Sequence, residues 1–444
     1  MEWWAILLVA GMILFGLFLS GMPIFLAFLA INVTGVLVFL GPGGFGMAVN
    51  SVFDTTTTAT LTAIPLFVLM GEILFRSGST DVLFQAADRV IGRIRGRQFA
   101  LAMVLATIFG ALSGSNMAVA AMMGRTIYPG MTARGYDERL SIGMILAGAS
   151  LAPIIPPSVL AIIIATLANV SVAGLLIAGI LPGLLLAVLF LAYALIRCAL
   201  NPDLVPPTES RKKAAGTPDA GQQTEVSTAI LLLRCLPFGL IIFSVMGFIL
   251  AGVATPSESA ASGVVGAILT AALLGRFRLS ILGESLMQSA YIASMILIIM
   301  ATSTMFSQLL AFSGATGQLA SLVAETSWPD WAVLLAMMAI VFVCCMFIDQ
   351  VALMLVVIPI YLPVVATIGF DPLWFWLLML LNVVVGGITP PFGYAMFAFK
   401  GVAPQADLRD IFRAALPFVG LFLVGMAIVY AVPGVATLLP GLLE

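Results

Sequence analysis

The sequence predicts an all-α polytopic membrane protein built as an inverted repeat, each half carrying a re-entrant hairpin and a proline-broken helix. Three observations predict it. Of the 444 residues 62% are apolar and 9% charged, with a mean hydropathy of +1.19, whereas a soluble domain carries about 25% charge. Apolar stretches recur from residue 3 to residue 436, each long enough to cross a hydrocarbon core ~30 Å thick. The order of polar and proline-bearing segments in the first half also returns in the second.

The same composition narrows the function classes. There is no His, which removes the commonest general base, the Ser-His-Asp arrangement and most zinc and haem sites. Cys198, Cys235, Cys344 and Cys345 lie in or beside apolar segments without CxxC spacing and read as reduced packing residues. A net charge of -2 and a pI of about 5.3 leave no basic tract for nucleic acid. The start MEWWAILLVAG has neither a basic n-region nor an A-x-A-like cleavage site, so its apolar run reads as a retained helix.

In chain order, the first repeat (1–198) is expected to hold crossings at 3–20, 23–41, 59–77 and 174–197, a hairpin at 99–131 and a broken helix at 141–168. A polar linker, 199–228, with four prolines, separates the halves. The second repeat (229–444) holds crossings at 229–252, 258–275, 287–312 and 414–436, a hairpin at 331–366 and a broken helix at 374–399. That makes about ten crossings. Both hairpin segments are too long for one crossing and polar in the middle, which is why they read as re-entrant. Segment 79–97 alternates apolar and Arg positions at helical spacing and reads as an interfacial helix, with 314–327 its counterpart on the opposite surface.

Lys and Arg of short loops gather in the cytoplasm. Arg89, Arg93, Arg95 and Arg97 precede the first hairpin, Arg134 and Arg139 follow it, and Arg211 to Lys213, Arg276, Arg278, Lys400, Arg409 and Arg413 mark further loops. The flanks of the second hairpin hold none, so the two hairpins are expected to enter from opposite sides, with both termini periplasmic.

Within the hairpins, Asn116 and Asp349 occupy the polar centres, and Ile127-Tyr128 matches Ile360-Tyr361. Pro156-Pro157 follows the first centre as Pro390-Pro391 follows the second. A proline inside a helix removes a hydrogen bond and pushes the preceding residue to extended geometry, freeing carbonyls upstream. In hydrocarbon such groups persist only where they are buried in protein or bind something, and hard oxygens suit Na⁺. Candidate ligands are Ser113, Ser115, Asn116, Gly148, Leu151 and Pro153 for a first ion, and Asp349, Gly386, Thr389 and Phe392 for a second. The half-helices beyond each tip and each Pro-Pro pair aim positive dipole ends at one region, favouring an anionic substrate. Asn116, Arg125 and Ser158 are the candidate substrate contacts.

Blander readings compete. Either break alone is as readily a simple kink, and Asp349 is also a plausible capping acid. Glu72, four residues before Arg76, reads as a structural ion pair. Arg125 lies about 13 Å along a helix from the tip, nearer the cytoplasmic mouth. Glu258, just after a proline, reads as a helix-start residue.

The segments LSGSNMAVAAMMG, GASLAPIIPPSVL, ATPSESAA, FIDQVALMLVVIPIYLP and GGITPPFGYAMF together resemble the large membrane subunit of the tripartite ATP-independent periplasmic (TRAP) transporters, over nearly the whole chain. The resemblance implies an elevator fold of the ion-transporter superfamily and a secondary transporter driven by a Na⁺ gradient, with two or more ions and no organic cofactor. It implies a small membrane subunit of about four helices and a periplasmic substrate-binding protein as partners, in the bacterial inner membrane, with a carboxylate such as a dicarboxylate or sialic acid as substrate. It carries Na⁺-ligand roles to Ser115, Gly148, Leu151, Pro153, Gly386 and Thr389. The alternatives are a stand-alone H⁺- or Na⁺-coupled organic anion carrier of the same superfamily and, less favoured without His or an acid pair, a membrane-embedded enzyme.

Overall fold

A computed structural model describes residues 2–79, 81–90, 96–206 and 228–442. Arg93, Arg95 and Arg211 to Lys213, with most of the polar linker, lie outside the described residues, as does the side chain of Arg89. Helices and turns account for the described residues, and no strand is found among them.

The first half runs α1 (Trp3–Leu19), α2 (Ile24–Phe39), α3 (Gly46–Thr57), α4 (Ala63–Arg76) and α5 (Asp81–Val90), then α6 (Arg97–Ser113), α7 (Asn116–Thr126) and α8 (Tyr128–Ala133). It continues with α9 (Glu138–Ser150), α10 (Val159–Leu167), α11 (Val172–Ala178) and α12 (Ile180–Leu200). The second half runs α13 (Thr228–Leu250), α14 (Pro256–Leu273), α15 (Leu279–Phe312), α16 (Ala315–Glu325), α17 (Asp330–Cys344) and α18 (Gln350–Ile368). It ends with α19 (Pro372–Gly386), α20 (Tyr394–Val402), α21 (Leu408–Ala431) and the short α22 (Gly434–Thr437).

Six spans among the described residues are long and apolar enough to cross a membrane by themselves: 59–76, 172–200, 233–250, 279–312, 350–368 and 408–431. The shorter apolar helices α1, α2, α6, α17 and α19 fall below that length. The expected broken helices are each divided, into α9 with α10 and α19 with α20, because neither helix can run through a Pro-Pro pair.

Burial separates two layers. Every residue of α9 from Leu140 to Ser150 and of α19 from Trp374 to Gly386 is buried. A helix that is apolar all round belongs in the centre of its fold. Arms α6 and α7 pack against α9, arms α17 and α18 against α19, and α21 lies against both. Trp374 Nε1 donates to the Val429 carbonyl at 3.2 Å, and Arg139 pairs with Asp410 at 2.8 Å, tying α21 to each. In a second layer α2, α3 and α4 pack on the long α15, α14 packs on α4 and α13 on α14, and this layer meets the centre where α4 touches α6 and α10 and where α15 touches α18. Ser303 of α15 donates to the Leu355 carbonyl of α18 at 2.8 Å.

Two elements differ from the sequence expectation. Helix α3 was not expected; its segment is polar, and it folds because Ser51 is buried against α15, donating to Gln308 Oε1 at 3.0 Å. Helix α15 begins at Leu279, two turns before residue 287, because those turns carry Glu284, which a hydropathy argument discounts. Glu284 has a partner: Arg76 lies 3.1 Å from it and 2.7 Å from Glu72. The structural ion pair expected at Glu72 is therefore present, widened to a triad. Glu258 is likewise the helix-start residue expected, forming a reciprocal capping box with Thr255. Cys198, Cys235, Cys344 and Cys345 form no disulfide among the described residues.

Candidate functional site: the hairpin tips and the broken helices

Each tip is a turn between two arms. Helix α6 ends at Ser113, Gly114 takes φ 61°, and Ser115 caps α7 by accepting from the Ala118 amide at 3.4 Å. A left-handed φ disfavours any side chain with a Cβ. In the second tip α17 ends at Cys344, and Asp349 caps α18 by accepting from the Val351 and Ala352 amides at 2.9 and 3.4 Å. The capping role considered for Asp349 is thus real, and it leaves carboxylate lone pairs for another ligand.

The first break is residues 151–158. Ser158 caps α10, accepting from the Ala161 amide at 3.1 Å, and its hydroxyl donates to the Pro153 carbonyl at 2.5 Å. It is buried, and both of these bonds lie within the break, so it ties the turn at Pro153 to the start of α10. Ser158→Ala is expected to cost about 1 kcal/mol of stability, read as a lower melting temperature of the purified protein; unchanged melting would deny the hydroxyl this role. The carbonyls expected to be free are partly engaged. Leu151 accepts from both Ile154 and Ile155, at 3.0 and 2.9 Å, and Gly148 accepts from Leu151 at 3.1 Å. A carbonyl oxygen has two lone pairs, so Gly148 and Pro153 keep capacity for a cation while Leu151 is the poorest donor of the three.

The second break is residues 387–393. Gly386 accepts from the Thr389 amide at 3.1 Å, and the buried Thr389 hydroxyl donates to Val385 at 2.7 Å. Phe392 is exposed, its ring 6.1 Å from that of Phe347 at the second tip.

Tips and breaks meet. A methyl group built on Gly114 would stand 3.0 Å from the Pro157 carbonyl oxygen, so the first tip lies on the first break. A methyl on Gly386 would stand 2.4 Å from Cys345 Sγ and 2.6 Å from its carbonyl oxygen, so the second tip lies on the second break. Among the predicted residues, Ser113 and Ser115 flank the Gly114 that lies on Pro157, Gly148 lies against Ala106 of α6, and Gly386 lies against Cys345 of the second tip. Asn116 joins the first tip to the second break. It is 1% exposed, and its amide donates to Tyr394 Oη of the second break at 3.0 Å. Arg125 stays apart, exposed in the last turn of α7.

Tyr394 and Gln350 are the residues that sequence reasoning missed. Tyr394 Oη donates to Gln350 Oε1 at 2.5 Å. Asn116, Gln350 and Tyr394 are the first residues of α7, α18 and α20, so three helix starts converge on one hydroxyl. Helices α7 and α20 then run together, with Gly124 of α7 directly against Phe399 and Val402 of α20. Position next to Asp349 and in GGITPPFGY was the available signal, but a tyrosine in an apolar helix carries no mark of its partner.

Residues 11–435 match the model of the DctM component of the tripartite ATP-independent periplasmic transporters. The ectoine TRAP transporter large permease protein TeaC of Halomonas elongata is 29% identical over 98% of each chain. The C4-dicarboxylate TRAP transporter large permease protein DctM of Pseudomonas aeruginosa is 30% identical over 93% of each. The sialic acid TRAP transporter large permease protein SiaM of Vibrio cholerae is 26% identical over 96% of each. With a family model spanning nearly all of the chain and a relative at 30% identity over most of its length, the chain belongs to the DctM family of TRAP transporter large permease subunits, multi-pass membrane proteins that transport a substrate.

Proposed function

We propose that this permease is a Na⁺-coupled importer of a carboxylate, working by an elevator-type alternating-access cycle in the inner membrane with both termini in the periplasm. The observation that carries the reading is the convergence of the α7, α18 and α20 starts on Tyr394, beside two helix breaks rich in carbonyl and hydroxyl oxygens. Helix starts present unpaired amides and a positive dipole end, which favour a carboxylate. Among the described residues no group of three or more His, Cys, Asp or Glu gathers, so a cation here takes carbonyls and hydroxyls, the hard donors that suit Na⁺. The first ion is held by Ser113, Ser115, Gly148 and Pro153, and the second by Asp349, Gly386 and Thr389, with Asn116 between them; Leu151 and Phe392 contribute least. Ion binding neutralises the site and orders the tips, and the loaded centre of α6 to α10 and α17 to α20 then moves against the layer around α15.

The tripartite family supports two partners, a small membrane subunit and a periplasmic binding protein that delivers the substrate. Relatives named for ectoine, C4-dicarboxylates and sialic acid share this chain's length and family, and a carboxylate is the class that the converging helix starts favour.

The test is uptake into proteoliposomes holding this chain with its small subunit, under an imposed Na⁺ gradient, with and without the binding protein. Uptake is expected to require both. Ser115→Ala and Thr389→Val are expected to raise the Na⁺ concentration for half-maximal uptake about ten-fold each, the loss of about 1.4 kcal/mol of ion binding. Uptake driven by protons alone, or Na⁺ dependence untouched in both variants, would overturn the assignment.

A further inference from the structure

We propose that the Tyr394 hydroxyl is the link that makes the two hairpin tips open and close as one unit. Asn116 of the first tip donates to it and it donates to Gln350 of the second. One donor hydrogen and one accepted bond are thereby used, so both tips are tied to a single hydroxyl and a shift of Tyr394 disturbs the two together. The inference rests on reading the tips as the moving gates of the transporter.

The surroundings favour a link over simple packing. Gly387 lies directly against the pair: a methyl built there would stand 2.5 Å from Tyr394 Oη and 2.9 Å from Asn116 Nδ2. Any side chain at that position would occupy the place of the hydrogen bond. The link is also single. Tyr394 stands three residues after the second proline of its break, and the same place in the first break holds Leu160, which has no hydroxyl. Each tip has its own cap, Ser115 or Asp349, so neither Asn116 nor Gln350 is needed to start its helix. Their side chains are free to spend on the tyrosine. Asn116 and Tyr394 lie 278 positions apart, so the bond joins the halves of the chain. Two arrangements follow, one with both bonds made and one with both tips released, and a two-state element of this kind is what physical coupling between sites requires.

Cys345 offers a native reporter. It is 3% exposed and belongs to the second tip, where it lies against Gly386, whereas Asn116 belongs to the first. In the full chain with Cys198, Cys235 and Cys344 replaced by alanine, reconstituted in liposomes, the rate of Cys345 labelling by N-ethylmaleimide is compared for the parent, Asn116→Ala, Tyr394→Phe and the double variant. Asn116→Ala is expected to raise labelling about five-fold, the population shift for one net hydrogen bond, and Tyr394→Phe, which removes both bonds, about twenty-five-fold; the double variant is expected to go no further than Tyr394→Phe. Non-additivity is the signature of one shared link. Labelling indifferent to Asn116→Ala, or single effects that multiply in the double variant, would overturn the proposal. If Asn116→Ala does not reach the membrane, Asn116→Ser replaces it, with the same outcomes. Labelling needs no Na⁺, so the two readings fail separately. Coupled labelling with Na⁺-independent uptake sinks the symport reading alone, and Na⁺-driven uptake with uncoupled labelling sinks the link alone.

Discussion

Replacing Gly386 with alanine is expected to abolish substrate uptake while the protein still inserts in the membrane. The added methyl group would stand 2.4 Å from Cys345 Sγ, 2.6 Å from its Cβ and 2.6 Å from its carbonyl oxygen. A side chain can rotate away, but the carbonyl belongs to the turn of the second tip, so relief requires the turn to shift. Overpacking of this kind costs about 1–3 kcal/mol, too little to unfold a protein whose centre is as fully buried as α9 and α19. It is enough to lift the tip from the break. A fall in initial uptake rate of ten-fold or more is expected, with surface expression and melting close to the parent. Replacing Cys345 with glycine in the same chain removes two of the three clashes and is expected to restore part of the rate. Normal uptake by the single variant would mean that the close seating of tip on break is dispensable.

Asp349→Asn separates the two roles of that residue. Asparagine caps a helix about as well as aspartate, so the bonds from Val351 and Ala352 survive and only the charge is lost. A carboxylate attracts a Na⁺ at about 2.4 Å by several kcal/mol even at an effective dielectric of 20, offset in part by desolvation. The concentration of Na⁺ for half-maximal uptake is therefore expected to rise at least ten-fold, with melting unchanged. An unaltered Na⁺ dependence would reduce Asp349 to its cap. Asp349→Ala, which loses cap and charge together, is expected to add about 1 kcal/mol of destabilisation to the same transport defect.

The helices and both breaks were legible because the signals are local. A long apolar run, a Gly or Ser at a turn, and a Pro-Pro pair each act on neighbouring residues, so α6, α9, α17 and α19 begin, and α8, α10, α18 and α20 end, within a few residues of the bounds expected for the two hairpins and the two broken helices. The Glu72 pair and the Glu258 cap were legible for the same reason, both being contacts within one turn. Helix α3 and the start of α15 were not, since their stability comes from Ser51 on Gln308 and Glu284 on Arg76, partners more than 200 positions away in sequence. Engagement of the Leu151 carbonyl by Ile154 and Ile155 was also hidden, because a proline break frees a carbonyl only if the following turn does not reclaim it.

By itself the sequence determined that this chain is a polytopic helical membrane protein with two polar turns and two proline breaks. In hydrocarbon every backbone polar group must be satisfied within its own segment, so an apolar run has little choice but to be a helix, and a proline must interrupt it. Only the tertiary structure decided that Asn116 reaches across to the second break, that Gly386 seats the second tip, and that Tyr394 joins both. Those contacts depend on how helices far apart in sequence pack side by side, and no local pattern of residues records which distant side chain will fill a given hole.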